Sequence, residues 1–397
     1  MDLFLLIKQR LILFAFLLFA LISGCKRSSL QNSFLSPPQI IFAQERSGRH
    51  KPENRKFTGI PSLSISNNNQ FWATWYAGTT PGEDFNNYVV ISKSIDDGNE
   101  WDEVAVIDPD GSGPVRAFDP ETWVDPNGKI WFFWAQSIDN EEATAFNGRT
   151  SGVWAITYTE SNSSGINWSS PKRIADGIMM CKPTVLSTGE WLLPVSIWKI
   201  ENSARILASV DNGNSWKIRG EVNVPEEYRD CDEHMLLEKK NGSLMLFVRT
   251  RYGIGESISY DTGKTWTPLL PSLIKHPNAR FFIRRLNSGN ILLVKHGPIE
   301  LVSGRTHLMA FISKDDGITW SEGLLIDERY KVSYPDGQET KDSIIYIIYD
   351  YNRTRDQMIL MTRFKEADIN SNSDSCMINV FNERRVVSQG GIKLKKD

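Results

Sequence analysis

Short apolar segments broken by polar turns run through most of the chain, and they come in pairs. In residues 232–250 an apolar stretch, Met235-Leu236-Leu237, stops at Asn241-Gly242 and resumes as Leu244-Met245-Leu246-Phe247-Val248. Asn-Gly suits a tight hairpin, because both residues tolerate positive φ. The pattern therefore predicts two strands, with a carboxylate, Glu233, opening the first and a guanidinium, Arg249, closing the second. Related pairs begin at Ile60-Pro61, Asp119-Pro120, Lys182-Pro183, Arg280-Phe281 and Tyr334-Pro335, at intervals of 47 to 63 residues. Their turns fall at Asn68-Asn69, Asn127-Gly128, Thr188-Gly189 and Ser288-Gly289. A unit of that length holds about four short strands, the size of one propeller blade. The predicted fold is all-β, a six-bladed β-propeller of four-stranded blades over residues 40–397.

A second repeat lies over the first. Ser-x-Asp-x-Gly-x-x-Trp occurs at Ser94 to Trp101, Ser209 to Trp216, Ser259 to Trp266 and Ser313 to Trp320. A degraded copy runs from Ser161 to Trp168, with Ser163 in the aspartate's place. Aspartate accepts backbone N–H bonds in a tight turn, glycine supplies positive φ, and tryptophan packs the turn on the sheet. Five blades carry such a turn. The sixth has about 36 residues for its strands, counting to residue 370. It is expected to lack an outer strand, which residues 40–43 would supply to close the ring. The long polar loop 136–152 is a candidate site-shaping loop. A late strand is expected at 377–381.

The N-terminus has a different pattern. Lys8 and Arg10 precede an apolar run at 11–22, then Ser23-Gly24-Cys25. That is a signal peptide with an apolar core short for a membrane span. Ile22-Ser23-Gly24-Cys25 resembles a bacterial lipobox. The resemblance implies a lipoprotein signal over 1–25, lipidation of Cys25, and a lipid-anchored place in the bacterial cell envelope. Residues 26–39, with Pro37-Pro38, read as a flexible tether. Three further cysteines, Cys181, Cys231 and Cys376, are an odd number and give no disulfide framework. Cys181 and Cys231 fall at like places in successive repeats; a pair and two buried thiols are both open. The net charge of -3 gives no reason to expect a nucleic-acid partner. No cysteine or histidine spacing suggests a metal.

The turn motif resembles the Asp-box of the sialidase superfamily, a six-bladed family, over residues 40–365. That resemblance implies a glycoside hydrolase with a tyrosine nucleophile paired to a glutamate, an aspartate as acid/base, and three arginines that hold the substrate carboxylate. Asp232-Glu233-His234-Met235 matches the glutamate position. Arg249 matches the second arginine and Arg305, in Arg305-Thr306-His307-Leu308, the third. Tyr334, in Ser333-Tyr334-Pro335-Asp336, matches the tyrosine. Asp84, in Pro81-Gly82-Glu83-Asp84, stands where the acid/base is kept, with Glu83 its rival. One position departs: the first arginine belongs to Arg-Ile-Pro, and this chain has Gly59-Ile60-Pro61.

The chemistry of these residue types agrees with such roles. A tyrosine hydroxyl ionises near pH ~10, so it needs a carboxylate to take its proton as it attacks. A guanidinium grips a carboxylate with two parallel bonds. The repeat argument brings Asp119, Lys182 and Arg280 to the same channel. Lys182, Arg280 or Arg116 are candidates for the lost arginine; an ion-pair network lining the channel is the other use for such a ring. Trp72, Trp75, Trp131 and Trp134 read as packing between blades rather than sugar platforms. The first expectation is an exo-acting hydrolase of a terminal acidic sugar that needs no metal or cofactor, its partner an acidic glycan. Two alternatives stay open. One is a polysaccharide lyase using His234, His276, His296 or Tyr252 as its base. The other is a non-catalytic carbohydrate-binding propeller.

Overall fold

The structure is a computed structural model that describes residues 33–46, 48–138, 151–160, 167–197, 201–231, 233–370 and 379–391. The signal segment, Cys25, Cys376, most of the 136–152 loop and residues 161–166 of the degraded turn lie outside them. Six antiparallel sheets form the six blades. Their innermost strands are Phe57–Ile65, Val115–Val124, Thr184–Val185, His234–Glu238, Phe282–Arg285 and Val332–Glu339. Each blade then meanders outward through consecutive strands.

Both faces of each blade are apolar, because each sheet packs on two neighbours. Alternate residues of a strand point to opposite faces. In blade one, Leu63, Ala73 and Trp75 face Tyr346, Ile348 and Met361 of blade six. Trp72 and Tyr76 face Phe132 and Trp134 of blade two. Four further buried clusters fill the remaining interfaces around the ring. Trp72, Trp75, Trp131 and Trp134 all sit in these clusters, so they are core residues. The Asp-box turns show the predicted bonding. Ser259 Oγ donates to Asp261 Oδ1 at 2.8 Å, and the Thr265 N–H donates to that oxygen at 2.8 Å. Trp266 Nε1 donates back to the Gly263 carbonyl at 3.0 Å.

Two expectations about the ends change. The segment at 40–43 does not complete blade six. As Gln39–Phe42 it pairs with Asp102–Asp108 and becomes a fifth, outermost strand of blade one. Blade six instead takes its fourth strand from the tail, Arg385–Gln389, while 379–382 is helical rather than extended. The end of the expected tether is also docked. Phe34 is buried, and Gln136 Nε2 donates to the carbonyls of Phe34 and Ser36 at 3.1 and 2.8 Å. Cys181 and Cys231 are free thiols.

The feature that positions the site is a bulge at the start of three inner strands. Strand register shifts between Gly59 and Ser62, between Phe118 and Glu121, and between Ser333 and Asp336. Each shift spans an X-Pro pair, since proline cannot donate to the ladder and is tolerated at bulges. The residue before each proline has positive φ: Ile60 at 59°, Asp119 at 48° and Tyr334 at 50°. That conformation costs a non-glycine residue about 1–3 kcal/mol and persists only where packing holds it.

Candidate active site

Two residues past each strained position, the chain turns a polar side chain into the buried axis. Ser62 Oγ donates to Asp336 Oδ2 at 2.6 Å and lies 2.8 Å from Glu121 Oε2. Lys182 Nζ bonds Asp336 and Ser62 and lies 3.5 Å from Glu121 Oε2. Arg280 Nη2 donates to Glu121 Oε1 at 2.5 Å. Two cations thus meet two carboxylates from different blades. Burial pushes the Glu121 carboxyl up, Asp336 adds to that, and Arg280 and Lys182 pull it back. Of the two uses open to Lys182 and Arg280, the structure shows ion pairing at the axis. Neither belongs to the arginine cluster described next, because their charges are spent on Glu121 and Asp336.

That cluster surrounds Tyr334. Its hydroxyl donates to Glu233 Oε1 at 3.1 Å. Arg249 Nη1 donates to the same Glu233 oxygen at 2.7 Å and to Tyr334 Oη at 3.1 Å. Asn278 aims Arg249, accepting from Nε on its side-chain oxygen at 2.8 Å and from Nη2 on its carbonyl at 3.3 Å. Arg305 stands over the Tyr334 ring, its guanidinium carbon 5.6 Å from the centroid, and Nη1 donates to Ser333 Oγ at 3.2 Å. Burial raises the Tyr334 pKa, the Glu233 charge raises it further, and Arg249, Arg353 and Arg305 pull it down. The balance leaves the phenol above its usual value and neutral near pH 7.

The fourth charged residue here had no signal in the sequence. Arg353 also covers the Tyr334 ring, its guanidinium carbon 4.4 Å from the centroid. Its Nε donates to buried Asp350 at 2.9 Å, and Nη1 to Glu83 Oε1 at 3.3 Å. It follows a hairpin of blade six, in a segment without a motif.

Three carboxyls stand in or beside the cluster. Asp84 anchors its own loop: Thr80 Oγ1 donates to Oδ2 at 2.6 Å, and the Asn86 N–H to Oδ1 at 2.8 Å. Glu83 is half exposed and touches Arg353. Asp119 is buried. Burial raises its pKa well above the usual value, and the charges of Glu83 and Glu233 add to the shift. Arg116, buried beside them, stacks its guanidinium 4.0 Å above the Phe118 ring and reaches Asn87 Oδ1 at 3.5 Å.

The histidines are placed differently. His234 Nε2 bonds the Arg205 carbonyl at 2.7 Å. His276 and His296 are buried against each other, 3.2 Å apart, and His296 Nε2 bonds the Val332 carbonyl at 2.9 Å. Tyr252 packs edge-on against Tyr228.

A ring of six antiparallel blades, five of four strands and one of five, with Asp-box turns and a buried tyrosine–glutamate–arginine cluster, defines a sialidase-superfamily propeller. The chain belongs to the family of proteins with a BNR repeat-like domain, whose model matches residues 69–347. Among solved structures it is similar to a Hadza microbial sialidase, with 21% identity, TM-score 0.63, and 79% of this chain and 66% of that chain covered. It is similar to the intramolecular trans-sialidase from Ruminococcus gnavus, solved with oseltamivir carboxylate, at 14% identity and TM-score 0.65, covering 85% and 99% of the two chains. A protein of unknown function from Dyadobacter fermentans matches at 18% identity and TM-score 0.60, covering 81% and 95%. Likenesses at these identities show the fold. No curated protein matches the chain in sequence.

Proposed function

We propose that this protein is an exo-acting glycoside hydrolase that removes a terminal acidic sugar, sialic acid or a related ulosonic or uronic acid, with retention. The observation that carries the reading is Tyr334 Oη, which donates to Glu233 and accepts from Arg249 in one buried cluster. In the first step Tyr334 Oη attacks the anomeric carbon and its proton passes to Glu233 Oε1. The bond to the aglycone breaks, and the leaving oxygen takes a proton from a carboxyl on the far side. Water then attacks the tyrosyl-glycoside, that carboxylate takes the water's proton, and Tyr334 recovers its own from Glu233. Two inversions give net retention, the course sialidases follow as the tyrosine exception among glycosidases.

A neutral tyrosine suits an anionic substrate, since no phenolate repels the sugar carboxylate before attack. Arg249 and Arg305 bind that carboxylate. Asp84 is the proton donor by its place in the chain, and Asp119 is the neighbouring carboxyl whose pKa burial raises. We also place the protein on the bacterial cell envelope through lipid on Cys25. Labelled fatty acid should enter the wild type and not Cys25→Ala.

The test is incubation with a panel of sialosides, other ulosonides and uronides beside Tyr334→Phe and Glu233→Gln. One acid should be released with retention. Glu233→Gln should lower kcat roughly 10²- to 10⁴-fold, the span of general acid–base catalysis, and Tyr334→Phe at least as much. Full activity in both variants would overturn the mechanism. An unsaturated product would mark a lyase, and binding without turnover a non-catalytic propeller.

A further inference from the structure

Gly59 is a glycine for reasons of space. Its φ lies outside the left-handed region, so its backbone conformation does not require glycine. A Cβ built there would lie 2.5 Å from Cδ of Arg353 and 2.7 Å from its Cγ. The Arg353 side chain therefore crosses the Gly59 backbone at the position where the sialidase pattern expects an arginine.

The crossing is held from several sides. The Thr58 N–H donates to the Arg353 carbonyl at 3.0 Å, which ties the blade-six turn to the inner strand of blade one. Asp350 Oδ2 accepts from Arg353 Nε at 2.9 Å and from the Ile60 N–H at 2.9 Å. The guanidinium lies on the Tyr334 ring. One end, Nη1, already rests against the half-exposed Glu83 carboxylate. The other end, Nη2, is buried with no hydrogen-bond partner among the described residues. A buried guanidinium nitrogen without an acceptor is costly. An anionic ligand at the tyrosine would satisfy it.

We propose that Arg353 is the third cation of a carboxylate clamp, delivered from blade six across Gly59 rather than from blade one, and that with Arg249 and Arg305 it binds the carboxylate of the acidic sugar. This assignment rests on the hydrolase reading for its substrate class. Its geometry stands without it. The clamp and Gly59 are one device, since any side chain at 59 displaces the arginine that replaces it.

The experiment measures binding of a 2,3-unsaturated sialic acid, of glucuronate and of their methyl esters, which lack the anion, by calorimetry on the whole protein. Wild type should bind at least one acid and bind its ester much more weakly. Arg353→Met combined with Asp350→Asn removes the cation without stranding a buried carboxylate. It should lose roughly 10- to 100-fold in affinity for the acid, the worth of a charge-assisted bond pair, and leave the ester unchanged. Gly59→Ala keeps Arg353 but pushes it aside, and should show the same selective loss. Gly59→Arg with Arg353→Gly should restore acid binding. A folded Arg353→Met/Asp350→Asn protein that binds the acid like wild type would overturn the clamp while leaving the hydrolase reading to its own test. Wild-type protein that binds none of the acids would also overturn it. Selective acid binding without turnover supports the clamp and refutes the hydrolase.

Discussion

Tyr334 combines two costs: a left-handed backbone and a buried hydroxyl beside a carboxylate. The first aims the side chain, and the second keeps it protonated. Tyr334→Phe should therefore leave the tyrosinate absorbance unchanged on titration up to pH of about 10, where an ordinary tyrosine ionises. A lost titrating group in that range would contradict the neutral nucleophile. The proton donor can be read from leaving groups. The variant that removes it, Asp84→Asn or Asp119→Asn, should lose roughly 10²-fold or more on an alkyl aglycone and little on an acidic phenol that needs no protonation. The histidine pair makes a separate prediction. Burial holds His296 down to about 4 and His276 well below its usual value. The folded state thus keeps them neutral where the unfolded chain would bind protons. Stability from His296 is fully present above about pH 6.5 and is lost as pH falls through 4, on the order of 3 kcal/mol in all. Melting temperature against pH should fall over that window, and more gently in His296→Asn.

Individual strands were legible because their signals are local. Asn-Gly and Ser-Gly turns sit within a few residues of the strands they join, and the Asp-box closes its bonds within eight residues. The X-Pro pairs marked four of the inner strands, but not the left-handed residue before three of those prolines, which tertiary packing imposes against local preference. Edge strands were misread for a related reason. Residues 39–42 and 385–389 are short segments, and nothing near them says which sheet they join. The structure gives the first to blade one and the second to blade six. Deleting 33–42 should expose Asp102–Asp108 as a bare edge, lower the melting temperature and promote aggregation in light scattering.

Ring closure does the rest. Glu121, Lys182, Arg280 and Asp336 come from four blades and neutralise one another at the axis. Lys182→Met should destabilise the fold by about 3–5 kcal/mol, because it strands buried carboxylate charge. Adding Asp336→Asn should recover part of that loss in denaturant midpoints. By itself the sequence determined the repeat number, the four-stranded unit, the blade starts that hold Glu233 and Tyr334, and the strand end that holds Arg249. All of these follow from periodicity and turn chemistry over a few tens of residues. Only the tertiary structure decided which charges meet. It spent Lys182 and Arg280 on the axial acids, and it laid Arg353 over Gly59. Ile60 and Asp350, which frame that crossing, are 290 residues apart and meet only because the last blade packs on the first. A vacancy at one position and its occupant at another are joined by shape alone, and shape between distant segments leaves no periodic mark on a chain.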